Sequence, residues 1–136
     1  MAWDLIGHEW AVEMLSRHVA ASQVRHAYLL TGPEGVGKRA LALQFVQALH
    51  CAQPPAPGDR CGSCLPCEQV RTHRHPDLHE VARGESETLL GIEAIRELRR
   101  RLALSSFGGS WRVALLTGFD EATIEAQNAL LKTLEE

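Results

Sequence analysis

Residues Thr31 to Arg39 read TGPEGVGKR, and this stretch decides the class of fold that the sequence predicts. The pattern G-x-x-x-x-G-K-[ST] of a phosphate-binding loop is met at Gly32, Gly37 and Lys38. Arg39 stands where the pattern requires a Ser or Thr, whose hydroxyl would bind Mg²⁺. Glycines let backbone N–H groups approach phosphate oxygens, and the lysine reaches the outer phosphates. The loop is therefore predicted to hold phosphate but to be poorly equipped for hydrolysis.

The candidate nucleotide-binding residues are those of this loop: Gly32, Pro33, Glu34, Gly35, Val36, Gly37, Lys38 and Arg39. ATP or ADP is compatible with such a loop, whereas Mg²⁺ is not expected because the hydroxyl is missing. The sequence leaves open whether nucleotide binds at all. It also leaves open whether Arg39 pairs with a phosphate or points to solvent.

The hydrophobic pattern on both sides of the loop predicts an α/β fold. Three short apolar runs are predicted to be strands: Tyr28 to Leu30, Leu78 to Ala82 and Val113 to Leu116. Helices are predicted for Glu9 to Ser22, from Lys38 onward, around Ile92, Ile95, Leu98 and Leu102, and for Ile124 to Glu136. Strands that alternate with helices form a mainly parallel sheet flanked by helices. In the first helix, the apolar stripe is predicted to contain Trp10, Ala11, Met14, Leu15, His18 and Val19.

Length and charge restrict the class of protein. A chain of 136 residues suits one compact domain, and a net charge of −3 argues against a free-standing, non-specific DNA binder. No apolar run approaches the roughly 18 residues of a membrane-spanning helix, and Met1 to Ile6 lack the pattern of a signal peptide. We therefore expect a cytoplasmic protein. Ala129 to Glu136 end in a helical pattern without a stop signal, so we also expect a truncated part of a longer chain.

Four cysteines lie close together in an insertion that follows the second helix: Cys51, Cys61, Cys64 and Cys67. The run from Cys61 to Cys67 overlaps two C-x-x-C units, whose spacing lets neighbouring sulfurs reach one ion. Residues 51–67 are therefore predicted to form a zinc-binding insertion with these four ligands. Because sulfur would fill every position of a tetrahedral ion, the zinc is predicted to be structural.

Other roles for the cysteines are less well supported by the spacing. Disulfides do not suit a cytoplasmic protein, and a redox motif needs only one C-x-x-C at the start of a helix. An iron–sulfur cluster stays possible, although its fourth ligand normally lies elsewhere. His50, His73 and His75 lie near enough in sequence to replace Cys51, but surface or capping positions suit them better.

A second half of a hydrolytic site is not evident. Hydrolysing enzymes of this class carry Asp-Glu at the end of a later strand, where Asp helps to hold Mg²⁺. Here the strand that includes Val113 to Leu116 ends at Thr117 and Gly118, and neither residue offers a carboxylate. Asp120 and Glu121 lie further along and suit a loop or a helix cap.

These motifs together resemble the N-terminal domain of the AAA+ clamp-loader subunits of bacterial DNA polymerase III. The resemblance covers essentially the whole chain. Its most specific parts are the Gly32 to Lys38 loop, the following insertion with four cysteines, and NALLKTLEE at Asn128 to Glu136. The segment WDLIGH, which begins at Trp3, resembles the part of the family that packs near adenine.

Within this family, the chain resembles the delta-prime subunits, whose nucleotide motifs are often degenerate. The gamma/tau subunits, which hydrolyse ATP, keep the Ser/Thr after the lysine and the later Asp-Glu. Thr117 and Gly118 occupy the two acidic positions in this chain. The resemblance implies a subunit that helps to load the sliding clamp onto primed DNA, with gamma/tau and delta as partners and no membrane contact. It also implies lid and collar domains and an arginine finger beyond these residues.

Three other functions remain open. The first is a gamma/tau-like clamp-loader ATPase with unusual motifs, in which Lys38 binds phosphate and Asp120 or Glu121 binds metal. The second is a small zinc module that binds nucleic acid by itself, which the acidic balance and the lack of an aromatic–basic stripe disfavour. The third is a P-loop kinase for a small molecule, for which the sequence shows no acceptor-binding motif.

Overall fold

The computed structural model describes residues 3, 7–25, 27, 28, 30, 37–81, 92–102, 111–117 and 128. In this part of the chain the elements are, in order, α1 (Glu9–Ala20), α2 (Lys38–His50), α3 (Leu65–Arg71), β1 (Leu78–Val81), α4 (Ile92–Leu102) and β2 (Val113–Leu116). The chain divides into two compact units, Met1–His75 and Pro76–Glu136. Helices mixed with a small parallel sheet confirm the predicted α/β class.

The first unit is built on helices α1 and α2, which pack against each other. Its buried cluster consists of Trp3, Ala11, Val12, Leu15, Leu41, Phe45 and Ala48. The ring of Phe45 holds this cluster together, because it stacks on Trp3 at 6.5 Å and meets the edge of Tyr28 at 5.0 Å. Such aromatic pairs stabilise a core beyond the area that they bury.

The predicted stripe of α1 is wrong in part. Trp10 is 74% exposed and Met14 is also exposed, whereas Val12 and Ser16 are buried beside Ala11 and Leu15. Both sets of positions satisfy the helical period, so the sequence pattern alone does not distinguish them. The side that α1 buries is the one that faces α2 and the loop around Gly58.

The second unit contains a parallel pair of strands with a helix between them in sequence. Strands β1 and β2 pair in parallel, with Leu78 opposite Val113 and Val81 opposite Leu116. Helix α4 contacts both strands and buries Ile95 and Leu98 completely or nearly so. The second and third predicted strands and the helix between them are therefore confirmed.

Several predicted features lie at or beyond the limits of the described residues. Tyr28 and Leu30 lie outside the two strands that the described residues form, and Leu29 is outside that part of the chain. Of the predicted final helix only Asn128 is described, and it is helical and exposed. Among the described helices, none combines the length and apolar character needed to cross a bilayer.

Candidate metal centre

The four cysteines lie at the ends of two helices and in the loop between them. Cys51 directly follows the last residue of α2, and Cys64 directly precedes α3. Cys67 is buried in the first turn of α3, and Cys61 lies in the loop. Pro66 suits the first turn of α3, because the missing N–H at that position has no intrahelical partner. Helix α3 was not predicted from the sequence.

The geometry of the four sulfurs suits one tetrahedral ion. All four Sγ atoms lie within 4.8 Å of one another, and those of Cys51 and Cys64 are 4.0 Å apart. Zinc–sulfur bonds of about 2.3 Å in a tetrahedron separate the sulfurs by about 3.8 Å. None of the four cysteines is in a disulfide. The chain's own residues therefore form a complete set of sulfur donors.

Backbone N–H groups point at two of the sulfurs. The Sγ of Cys61 accepts hydrogen bonds from the N–H groups of Cys64 at 3.2 Å and Ser63 at 3.4 Å. The Sγ of Cys51 accepts one from the N–H of Cys61 at 3.2 Å. Such donors stabilise a thiolate more than a thiol, and thiolates are the form that binds metal. These hydrogen bonds favour the thiolate at both sulfurs, but only at Cys61 do they outweigh the effect of burial.

The pKa values of the thiols are shifted in opposite directions within the cluster. The N–H groups of Ser63 and Cys64 lower the pKa of Cys61 to about 6. Burial raises the pKa of the Cys51 and Cys67 thiols. A divalent cation among the sulfurs would offset the cost of ionising the buried pair, since metal ions reverse the local effect of burial.

Side chains of α2 hold the insertion from one side. The Nε2 of Gln47 donates a buried hydrogen bond to the C=O of Cys67 at 2.9 Å. The Nε of Arg60 donates to the Oε1 of Gln44 at 3.1 Å. Sequence reasoning missed these contacts, because a glutamine within a helix gives no sign of a partner on another element.

Gly58 holds the insertion from the other side. Its C=O accepts hydrogen bonds from the Nε1 of Trp3 at 3.2 Å and the Oγ of Ser16 at 3.1 Å. The residue is buried with φ +86°, and a Cβ there would lie 2.2 Å from the backbone oxygen of Ser16. Only glycine fits such a position without displacement of the neighbouring chain. The loop was predicted, but its attachment to α1 was not.

The nearby histidines do not complete the donor set. His50 is buried rather than at the surface, and its Nδ1 donates to the C=O of Val46 at 3.0 Å. Its ring lies 4.3 Å from that of His75, whereas His73 is exposed with φ +60°. Of the two predicted roles, a surface or a capping position, the surface position is wrong for His50 and the capping position is confirmed, because the side chain bonds to a carbonyl of the last turn of α2. The side chain is buried because the end of α2 packs into the unit before the chain turns into the insertion.

The opposite end of α2 carries the described part of the predicted phosphate-binding loop. Gly37 has φ +91°, and its C=O accepts the N–H of Leu41 at 2.9 Å as the helix begins. Lys38 is half-buried and Arg39 is exposed in the first turn. Gly32, Pro33, Glu34, Gly35 and Val36 lie outside the described residues.

The end of β2 carries the described part of the second predicted motif. The N–H of Thr117 donates to the C=O of Val81 at 2.9 Å and extends the pairing of the two strands by one hydrogen bond. Its side chain is exposed. Gly118, Asp120 and Glu121 lie outside the described residues.

Comparisons with known proteins place the chain in a family. The model of the family "DNA polymerase III, delta subunit" matches residues 7–136, so the chain belongs to this family. The "DNA polymerase III subunit delta'" of Pseudomonas aeruginosa PAO1 is 36% identical over 95% of this chain and 39% of its own length. The protein of the same name from Escherichia coli K12 is 34% identical over 91% of this chain and 37% of its own length.

Similarity extends to a second kind of subunit. The "DNA polymerase III subunit tau" of Bacillus subtilis 168 is 29% identical over 98% of this chain and 23% of its own length. The chain thus spans well under half the length of these curated relatives. The predicted resemblance to delta-prime and gamma/tau subunits is confirmed.

Proposed function

We propose that residues 1–136 are the N-terminal AAA+ P-loop domain of a DNA polymerase III clamp-loader subunit that does not hydrolyse ATP. The observation that carries this proposal is Arg39, which is exposed and follows Lys38 directly in the first turn of α2. Membership of the delta-subunit family supports a role in replication. The similarity to delta-prime proteins supports the delta-prime type of subunit.

Hydrolysis of ATP in this class of fold requires side chains that hold Mg²⁺. The start of α2 and Lys38 provide groups that attract phosphate, since backbone N–H groups and the helix dipole favour an anion. Arg39 provides no hydroxyl ligand, and Thr117 provides no carboxylate at the end of β2. Without the metal, charge that develops on the transferred phosphoryl group is not neutralised. ATP or ADP would therefore act only as a bound ligand.

A steady-state assay of the pure full-length subunit tests the absence of hydrolysis. We expect ATP turnover with Mg²⁺ that is the same for the wild type and for Lys38→Ala. A gamma/tau subunit serves as the positive control. Metal-dependent turnover that Lys38→Ala abolishes would favour the gamma/tau-like ATPase instead.

The proposed partners follow from the clamp-loader role. They are the gamma/tau and delta subunits, with the sliding clamp and primed DNA reached through the assembly, in the cytoplasm. Co-expression of the full-length chain with tagged gamma/tau and delta tests this proposal. We expect a stable complex that contains all three subunits. Purification of gamma/tau with delta but consistently without this chain would reject it.

The second part of the proposal is a structural zinc ion in residues 51–67. Cys51, Cys61, Cys64 and Cys67 would hold it, because their sulfurs already lie within 4.8 Å of one another. Zinc would join the end of α2 to the start of α3 and so stabilise the insertion. Four thiolates leave no open position, so the ion would take no part in chemistry on a substrate.

Metal analysis tests the zinc site directly. Full-length protein purified without added metal should contain about one zinc ion per chain. Iron in place of zinc, with the absorption of an iron–sulfur cluster, would support the alternative cofactor. Protein that is folded and free of metal would contradict both.

A further inference from the structure

Gln47 makes an unusual contact for a residue of helix α2. Its side chain is only 4% exposed, and its Nε2 donates to the backbone C=O of Cys67 at 2.9 Å. Cys67 itself is fully buried. A buried amide that lost this partner would cost stability, so the bond constrains both residues. The contact joins two elements, since Cys67 belongs to α3.

Helix α2 also fixes the position of a second sulfur, that of Cys51. Cys51 follows the last residue of α2, one helical turn after Gln47. An α-helix is a rigid spacer over one turn, so the position of Cys51 is fixed relative to the Gln47 side chain. The hydrogen bond then fixes the first turn of α3 relative to the end of α2. Two of the four sulfurs, from opposite ends of the insertion, are thus held in register by one side chain.

We propose that Gln47 is a positioning residue of the metal centre. It sets the place of the Cys67 backbone relative to Cys51 and so strengthens metal binding without touching the ion. Groups that orient metal ligands in this way typically change metal affinity by about 10-fold to 100-fold when they are replaced. This inference rests on the proposed zinc site.

Replacement of the donor tests the role of Gln47. Gln47→Met keeps a long buried side chain but cannot donate, and Gln47→Leu removes the amide with a shorter apolar side chain. In the full-length protein, competition with a chromogenic chelator should show zinc affinity reduced by about 10-fold or more in both variants. The visible absorption of Co²⁺ substituted for zinc should change in position or intensity, because it reports the arrangement of the sulfurs.

Gln69→Met is the matched control. Gln69 is a half-buried glutamine on α3, two residues after Cys67, and its side chain should not influence the ion. We expect wild-type zinc affinity and a wild-type Co²⁺ spectrum in this variant. Thermal unfolding with and without zinc distinguishes a positioning role in metal binding from a purely structural role. Such a role would lower the melting temperature of the Gln47 variants with and without zinc equally and leave zinc affinity unchanged.

The possible failures are distinguishable. Wild-type protein that binds no zinc would overturn the zinc site together with this inference. Wild-type protein that binds zinc, with unchanged affinity in Gln47→Met or Gln47→Leu, would overturn the inference alone. An equal loss of affinity in Gln69→Met would also overturn it. If Gln47→Met is insoluble, the result for Gln47→Leu decides.

Discussion

The two ends of helix α2 both carry residues of a predicted site, and the two sites differ in how complete they are. At the C-terminal end, Cys51 lies with three other cysteines in a set of sulfurs that could surround one ion. At the N-terminal end, Lys38 is followed by Arg39, which offers no ligand for Mg²⁺. One end of α2 thus adjoins a full set of sulfur donors, whereas the other carries part of a predicted phosphate-binding loop whose sequence departs from the pattern at Arg39.

The difference has a physical origin in the distances along the chain. All four cysteines lie within residues 51–67, so short loops and two helix ends are sufficient to bring them together. By contrast, the two predicted nucleotide motifs, at Lys38 and near Thr117, lie far apart in the sequence, so local spacing does not bring their residues together.

The largest expected effect comes from removing one sulfur of the four-cysteine set at the C-terminal end of α2. Cys67→Ser removes a fully buried sulfur from the donor set. We expect loss of the bound zinc and a melting temperature lower by about 10 °C or more, because metal binding contributes directly to folding free energy. Elemental analysis and thermal unfolding of the full-length protein measure both effects.

Ser63→Ala is the control for that change. Ser63 lies between Cys61 and Cys64 and is exposed, and its backbone N–H bond to the Cys61 Sγ survives the substitution. Only the long contact of 3.8 Å from its hydroxyl to the same sulfur is lost. Zinc content should stay at the wild-type level. A similar loss of zinc in both variants would mean that the insertion tolerates no change, rather than that Cys67 is a ligand.

The second effect concerns the attachment of the insertion to α1. Gly58→Ala places a Cβ 2.2 Å from the backbone oxygen of Ser16 and should reduce the free energy of unfolding by about 2 to 4 kcal/mol. Gly7→Ala is the matched control, since Gly7 has a similar φ of +78° with nothing within 4 Å of a Cβ. It should cost only about 1 kcal/mol. Urea unfolding measures both, and equal costs would show that Gly58 is not a packing constraint.

Sequence patterns predicted the parts of this molecule that depend on neighbours in the chain. The starts of α1, α2 and β2 and the clustering of the cysteines follow from local spacing, and the structure confirms them. The exposure of Trp10 and the burial of Gly58 depend on contacts between distant segments. Such contacts leave no periodic signal in the sequence. When two sides of a helix are both apolar, the period of 3.6 residues does not tell which side is buried.

A smaller effect is expected in the second unit, where His79 makes stability depend on pH. Burial, together with the charge of Arg101, lowers the pKa of His79. The folded state therefore favours neutral His79, and its contribution to stability is present above the unfolded pKa of about 6.5 and lost as pH falls below it. His79→Gln should flatten this part of the stability profile, as measured by urea unfolding between about pH 8 and about pH 5. Profiles of identical slope would contradict the assignment.

The smallest expected effect comes from restoring the missing hydroxyl of the predicted phosphate-binding loop, at the N-terminal end of α2. Arg39→Ser restores the hydroxyl of the phosphate-loop pattern. We expect no gain in ATP turnover, because the strand end at Thr117 still offers no carboxylate for Mg²⁺. Turnover is compared with that of the double variant Arg39→Ser with Lys38→Ala. Hydrolysis that depends on Lys38 in the repaired protein would show that the hydroxyl alone was missing.

We propose that the N-terminal end of α2 forms no magnesium site. Titration of the full-length subunit with ATP, in the presence and absence of Mg²⁺, measures whether the metal takes part in binding. We expect the same result under both conditions, whether that is one dissociation constant or no measurable binding. Binding that Mg²⁺ strengthens by about 10-fold or more, and that Lys38→Ala removes, would contradict it.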